Sequence, residues 1–200
     1  MFLKFSLKRG KVVIKMCSGN VHATIGLIGS EVIMFGANKF LNLGLDSKAM
    51  VVVGVGAVIG SLIVDIDSKR SKASQIFNKA LMGFIAIYFG VMIAHRTMDV
   101  PIPEINLVGV IHDYKPAVLL LLLTFVSHLS PHRVFTHKII GTLSFITLGL
   151  ITFNRVFFYG YAIGYILHLI ADAALTKEKL EFFELRLPLQ NSKGEFHVVM

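Results

Sequence analysis

Residues 49–64 read AMVVVGVGAVIGSLIV, a run of sixteen residues that contains no charged side chain. Five other segments have the same character, being rich in Leu, Ile, Val, Phe, Gly and Ala and almost free of charge. None of them alternates apolar and polar side chains with a period of two, which argues against transmembrane strands. The segments run slightly short of the about 20 residues that a full membrane crossing prefers. The six segments are roughly 21–37, 49–64, 77–94, 116–129, 138–153 and 155–174.

These segments predict an all-α protein, a polytopic transmembrane helical bundle with about 4–6 membrane helices. The composition agrees, because 54% of the residues are hydrophobic and 16% are charged, too few charges to cover the surface of a soluble domain. The net charge of +8 is compatible with nucleic-acid binding, but excess Lys and Arg is also typical of the cytoplasmic flanks of membrane proteins. We therefore expect a lipid bilayer as partner and no specific nucleic acid, and the oligomeric state is left open.

Three regions follow from the positions of the apolar segments. A basic N-terminal tail at 1–19 precedes a transmembrane helical domain at 20–176, and a polar cytoplasmic tail occupies 177–200. The first tail lacks the long apolar core and the small-residue site of a cleaved signal peptide, so we expect an interfacial anchor or a disordered tail. Met16 is an alternative start, and the single cysteine, Cys17, permits no intramolecular disulfide.

If the six segments cross the membrane in alternating directions, nine polar residues at segment ends lie on one side of it. Fifteen of the twenty Lys and Arg residues fall on the same side, which the positive-inside rule assigns to the cytoplasm. The arrangement requires every segment to cross the membrane, because a single segment that does not cross would place the clusters after it on the opposite side. We expect the nine residues to form one shared site. They are His22, Asp65, Asp67, His132, Arg133, Thr136, His137, His168 and Asp172.

Two of these clusters have spacings suited to a metal ion. His168 and Asp172 are four residues apart, so a helix places them on one face, where an imidazole and a carboxylate can reach one ion. A buried polar pair is the alternative for these two residues. Asp65 and Asp67 lie about 200° apart on an ideal helix, so they converge only where the helix ends. A polar helix terminus without a metal is the alternative there.

The stretch SPHRVFTHKIIG, residues 130–141, reads as a helix start with Ser130 as N-cap and Pro131 as the first helical residue. Such a helix would place His132 and Thr136 on one face. Histidine is a common metal ligand and proton carrier near neutral pH, and arginine suits phosphate or carboxylate. A helix N-terminus also favours an anion. An interfacial loop whose His and Arg side chains reach lipid phosphates is the open alternative.

Five other ionisable residues lie outside this arrangement. Glu31 lies inside the first segment, where a carboxylate is costly and often functional, although it can also face the bundle interior in protonated form. His128 reads as an interfacial histidine rather than a ligand. His95, His112 and Asp113 fall on the opposite side of the membrane, so we leave them out of the site.

The order of these motifs resembles that of the YdjM-type family of inner-membrane-associated metal-dependent hydrolases. That family has an early His, a DxD at a helix end, HRxxTH, a late GYxxHxxxDxxT and a short RLP-like tail. The sequence departs from the pattern at Val64, Pro131 and Lys138 and after the late motif, but it keeps the candidate ligands. The matching stretches are NVHATIG at 20–26, VDID at 64–67, HRVFTH at 132–137, GYILHLIADAALT at 164–176 and LRLP at 185–188.

The resemblance implies a metal-dependent hydrolase embedded in the inner (plasma) membrane. The charge pattern predicts that its site faces the cytoplasm. Zinc or manganese suits mixed His and Asp ligands, and one or two ions would activate water. We expect His132 to act as general acid or base and Arg133 to stabilise negative charge, with Thr136 beside them. The interfacial position suggests a lipid or lipid-linked phosphoester as substrate. The expected metal ligands are His22, Asp65, Asp67, His137, His168 and Asp172.

The sequence is also compatible with two other functions. A metal-ion transporter would place ionisable residues along a path through the middle of the bilayer, whereas these residues cluster at one edge, with Glu31 as the exception. A non-enzymatic membrane scaffold, in which a structural metal joins helix ends, fits the same residues.

Overall fold

The all-α prediction is confirmed, because seven α-helices account for most of the described chain and a two-stranded hairpin precedes them. The computed structural model describes residues 5–8, 11–14, 19–98, 107–175, 182–190 and 195–196. In chain order the elements are β1 (Phe5–Lys8), β2 (Lys11–Ile14), α1 (Gly19–Leu41), α2 (Ser47–Ile63), α3 (Lys72–Met98), α4 (Leu107–Asp113), α5 (Lys115–Leu129), α6 (Ile139–Thr152) and α7 (Arg155–Leu175).

The two predicted tails are described only in part. β1 and β2 pair antiparallel inside the predicted N-terminal tail, so this part of the tail is a hairpin. Met16 and Cys17 lie outside the described residues. In the predicted C-terminal tail, Gln190 and Phe196 form an isolated antiparallel bridge.

Six of the seven helices coincide with the six predicted apolar segments, and the short α4 is an addition. Three segments are long and apolar enough to cross a membrane, namely Ser47–Asp67, Lys72–Met98 and Arg155–Ala174. The helices α5 and α6 are apolar but have 15 and 14 residues. They are therefore only about 21–23 Å long, against a hydrocarbon core of about 30 Å. Any number of crossings above three stays a prediction.

Large apolar side chains cover the outer faces of these helices. The clearest example is α3, in which none of the apolar window is buried and Phe84, Ile87, Met92 and Ile93 are exposed. Soluble monomers rarely expose continuous apolar surface of this extent. Together with the helix lengths, this surface is that of a membrane protein.

The chain divides into two compact units, and each is described by itself. The first unit consists of Met1–Asp65 with Phe153–Glu184, and contains the hairpin, α1, α2 and α7. The second unit consists of Ile66–Thr152 with Leu185–Met200, and contains α3, α4, α5 and α6.

Glycines on α2 and α7 allow the backbones of these two helices to approach closely in the first unit. A Cβ atom added at Gly60 would overlap the carbonyl oxygen of Tyr161, and one added at Gly160 would overlap that of Val53. Each of these glycines has a second glycine four residues away, as in the GxxxG pattern of tightly packed membrane helices. The two pairs are Gly56 with Gly60 and Gly160 with Gly164.

In the second unit, a non-helical loop separates the end of α5 at Leu129 from the start of α6 at Ile139. The ring of Phe77 on α3 lies against α5, with its centroid 6.5 Å from that of Phe125 and 5.1 Å from that of His128. The Nδ1 atom of His128 lies 3.0 Å from the Ile66 carbonyl oxygen. The predicted interfacial histidine is therefore part of the packing of this unit.

Candidate functional site

Four of the six expected metal ligands lie together in the first unit. His22 lies near the start of α1, Asp65 lies in a 3-10 turn that follows α2, and His168 and Asp172 lie one turn apart on α7. The close packing of α2 against α7 brings the end of α2 to the His168 side chain. That side chain is 0% exposed, and the other three are at least four-fifths buried.

A backbone carbonyl group fixes the tautomer of His168. The Nδ1 atom of His168 lies 2.6 Å from the carbonyl oxygen of Ser61, and a carbonyl oxygen can only accept a hydrogen bond. The proton is therefore on Nδ1, which donates it to the carbonyl. Nε2 of the neutral ring keeps the lone pair that binds a metal ion. Histidines that bind metals are commonly oriented in this way by a partner on their other nitrogen.

Two nitrogen–oxygen distances are longer than hydrogen bonds and are compatible with a metal ion between the two atoms of each pair. Nε2 of His168 lies 3.6 Å from Oδ1 of Asp65, and Nε2 of His22 lies 3.5 Å from Oδ1 of Asp172. An N–H···O hydrogen bond usually measures about 2.7–3.2 Å. Two donors that each lie about 2.0–2.1 Å from one tetrahedral ion are about 3.4 Å apart. The observed separations are close to this second value.

The two imidazole rings are stacked on each other. The ring centroids of His22 and His168 are 4.0 Å apart, with 23° between the planes. One donor atom from each of His22, Asp65 and His168 lies within 4.8 Å of the other two, so these three residues can bind a single ion. Asp172 adds a second carboxylate beside His22. Two imidazoles with two carboxylates form a donor set typical of transition metals.

The second unit contains a hydrogen-bond network around the carboxylate of Asp67, which is 0% exposed. Its Oδ1 atom lies 3.0 Å from Nδ1 of His132. Its Oδ2 atom accepts the backbone N–H of Arg133 at 2.8 Å and the hydroxyl of Thr136 at 3.0 Å. An ionised carboxylate only accepts hydrogen bonds, so His132 carries a proton on Nδ1. The side chain of His132 is 42% exposed, unlike the carboxylate that orients it.

The last expected ligand, His137, is buried in the second unit. Its Nδ1 atom lies 3.0 Å from the hydroxyl oxygen of Thr136. Its ring meets that of His132 edge-on, with 5.5 Å between the centroids. Asp67 and His137 thus belong to the second unit, whereas the other four expected ligands belong to the first. One ion shared by all six remains a prediction.

The expected helix start at Ser130 is wrong. Ser130 is instead the C-cap of α5, and its hydroxyl accepts the backbone N–H of Leu189 at 2.9 Å. The carboxylate of Asp67 explains why a loop and not a helix follows α5, because hydrogen bonds from the loop to this carboxylate compete with those of a helix. Arg133 also adopts a φ of +64°, which a right-handed helix excludes. The shared helical face expected in this stretch does not exist.

Ser61 belongs to this cluster but is not among the residues predicted from the sequence. Its contribution is a backbone carbonyl oxygen, which every residue type possesses. The available signal was indirect, since the GxxxG spacing of Gly56 and Gly60 ends immediately before it and indicates a close helix contact at this point.

Comparison with known proteins gives no assignment for the chain. No protein family, no curated protein and no solved structure matches it. The resemblance to the YdjM-type hydrolases therefore rests on the quoted motifs and stays a hypothesis. The function has to be argued from the geometry of the two clusters.

Proposed function

We propose that this protein is a membrane-bound metal-dependent hydrolase, and that His22, Asp65, His168 and Asp172 hold its divalent ion. The observation that carries the proposal is the 2.6 Å contact between Nδ1 of His168 and the Ser61 carbonyl oxygen. It leaves Nε2 of His168 as a metal donor, 3.6 Å from the carboxylate of Asp65. Burial of a carboxylate is costly unless its charge is compensated, and a divalent ion compensates it.

The donor set favours zinc or manganese as the ion. Calcium prefers sites built of oxygen atoms alone, whereas two of the four donors here are imidazole nitrogens. When bound, such an ion supplies a Lewis acid that polarises the scissile group and activates water. The chain itself positions the donors, since the Ser61 carbonyl orients His168 and the stacked rings orient His22.

The pair formed by His132 and Asp67 supports proton transfer. The buried carboxylate holds Nδ1 of His132 at 3.0 Å, while 42% of the His132 side chain is exposed on the surface of this unit. A base oriented by a third group is the usual arrangement in enzymes of this kind. We assign His132 as general acid or base and Arg133 as the group that stabilises an anionic oxygen. Thr136 positions the carboxylate through its hydrogen bond.

We further propose that the substrate is a lipid or lipid-linked phosphoester, and that the protein lies in the inner (plasma) membrane with its clusters facing the cytoplasm. Three helices apolar enough to cross a membrane support the location in a bilayer. The excess of Lys and Arg at the segment ends that carry the clusters supports the orientation.

The metal content of the purified protein tests the first part of the proposal. We expect about one zinc or manganese ion per chain by elemental analysis, and its loss in His168→Ala. His112→Ala is the matched control, because His112 also lies beside an aspartate, at 3.2 Å, but is 72% exposed. A protein that holds no metal after incubation with either ion would refute the proposal.

A screen of phosphoesters in lipid vesicles tests the second part. Hydrolysis that a chelator abolishes and added metal restores would support the enzyme. A protein that binds metal and hydrolyses none of the substrates would favour the structural scaffold. The near-complete burial of the four donors is also compatible with that alternative.

A further inference from the structure

An apolar groove runs between α1 and α2 in the first unit, and none of its lining residues belongs to the candidate metal site. Its volume is about 750 Å³, and aliphatic side chains such as Leu27, Val51 and Val55 form its walls. Among its lining residues, all of which are described, Glu31 alone has a charged side chain. A neighbouring groove of about 580 Å³ shares Glu31 and extends to Asp46, at the start of α2.

Glu31 lies near the middle of α1. At 1.5 Å per residue it is about 18 Å from Gly19 and about 15 Å from Leu41 along the helix axis. Its side chain is half-buried, and within the described part of the chain no hydrogen bond or ion pair reaches its carboxylate. An ionised carboxylate among apolar side chains is costly unless a positive charge compensates it.

Gly54 on α2 makes room for this carboxylate in the groove. A Cβ atom added at Gly54 would lie 2.8 Å from Oε1 of Glu31 and 2.9 Å from Cδ1 of Leu27, both closer than ordinary contact. The carboxylate therefore lies against the backbone of α2 at a position where a side chain would displace it. It forms part of the groove wall.

We propose that this groove binds a lipophilic monocation, with Glu31 as its counter-ion. Such a ligand carries an amine, a quaternary ammonium or a phosphonium group on an apolar body. The aliphatic walls bury the body and the carboxylate compensates the charge. The groove volume falls within the roughly 300–1,000 Å³ that is usual for small-molecule sites, in which a few polar groups fix the orientation of the ligand.

The carboxylate of Glu31 distinguishes this ligand from a neutral lipid chain, because it is the one charged side chain in the groove wall. An acyl chain alone would fill the apolar walls without compensating the carboxylate. The neighbouring groove offers a path from the start of α2, where Asp46 supplies a second negative charge.

This binding site is independent of the proposed hydrolase. Glu31 follows His22 by nine residues, about 13 Å along α1. Cation binding and metal content are separate measurements, so the failure of one proposal is distinguishable from the failure of the other.

Binding of tetraphenylphosphonium to the full chain in detergent, measured by equilibrium dialysis, tests the proposal. We expect saturable binding to the wild type, weakened by roughly tenfold or more in Glu31→Gln, since a charge-assisted contact is removed while the side-chain shape is kept. Asp113→Asn is the matched control, because it removes a carboxylate of the second unit that is 71% exposed. Tetraphenylborate, with the same shape and a negative charge, should not bind saturably.

Gly54→Ala provides a second variant, whose added methyl group displaces the Glu31 carboxylate, and it should weaken binding as well. Helical circular dichroism and elution volume establish that each variant is folded, and the metal content of Glu31→Gln should match that of the wild type. The proposal is overturned if Glu31→Gln binds the cation as tightly as the wild type. It is also overturned if the borate anion binds equally well, or if the wild type shows no saturable binding.

Discussion

The substitution Gly60→Ala connects helix packing to metal binding. In the first unit, a Cβ atom at this position would overlap the carbonyl oxygen of Tyr161 on α7. The backbones of α2 and α7 must then separate locally by roughly 1 Å or more to reach ordinary contact distance. Gly60 directly precedes Ser61, so the separation also moves the carbonyl group that orients His168.

The consequence for the metal site follows from the length of one hydrogen bond. The contact between the Ser61 carbonyl oxygen and Nδ1 of His168 measures 2.6 Å. A displacement of about 1 Å lengthens it beyond the roughly 3.2 Å limit of a good N–H···O bond. The loss of such a partner of a metal-binding histidine usually lowers metal affinity by about 10–100-fold. We expect a loss of this size for Gly60→Ala.

Competition with a zinc chelator of known affinity, in detergent, measures this effect. Gly36→Ala is the control, because Gly36 lies on α1 of the same unit and a Cβ added there meets no atom within 4 Å. It should bind zinc as the wild type does. If folded Gly60→Ala retains wild-type affinity, the Ser61 carbonyl does not control the site, and the reasoning fails.

Three further outcomes are expected. Reporter fusions at Lys72 and after Lys193 should both read cytoplasmic, because most of the positive charge lies on that side, and opposite readings would contradict a common face. His132→Ala should keep its metal and lose about 10²–10⁴-fold in turnover, and loss of metal would make His132 a ligand instead. Asp67→Ala should lower the melting temperature, since it removes the acceptor of three hydrogen bonds. An unchanged melting temperature would show that these three hydrogen bonds do not stabilise the second unit.

The helices were predictable because long apolar runs offer few alternatives. In a bilayer each backbone N–H and C=O group must be satisfied internally, and a helix does so within one segment. The six predicted segments are all helical, with polar residues extending the first to Gly19–Leu41. The short α4, LVGVIHD, was missed because seven residues are too few to show a helical period.

The site was only partly predictable, because some of its contacts are local in sequence and others are not. The spacing of four between His168 and Asp172 on α7 correctly indicates one helical face. The loop after α5 depends instead on Asp67, which lies 65 residues before its partner His132. Ser130 followed by proline satisfied the local rules for a helix start. A distant carboxylate that accepts hydrogen bonds from the loop outweighed those rules, and no local pattern reports it.

Substitution of Ser61, the residue next to Gly60, should have the opposite outcome and leave zinc affinity unchanged. Ser61 orients His168 through its backbone carbonyl, while its hydroxyl donates to the carbonyl of Val58 at 3.0 Å within α2. Ser61→Ala keeps the carbonyl and removes only that local hydrogen bond, so zinc affinity should stay at the wild-type value. If the serine hydroxyl were itself a ligand, Ser61→Ala would lose metal and Gly60→Ala would matter less. Chelator competition on the two variants side by side decides between a backbone and a side-chain role at this position.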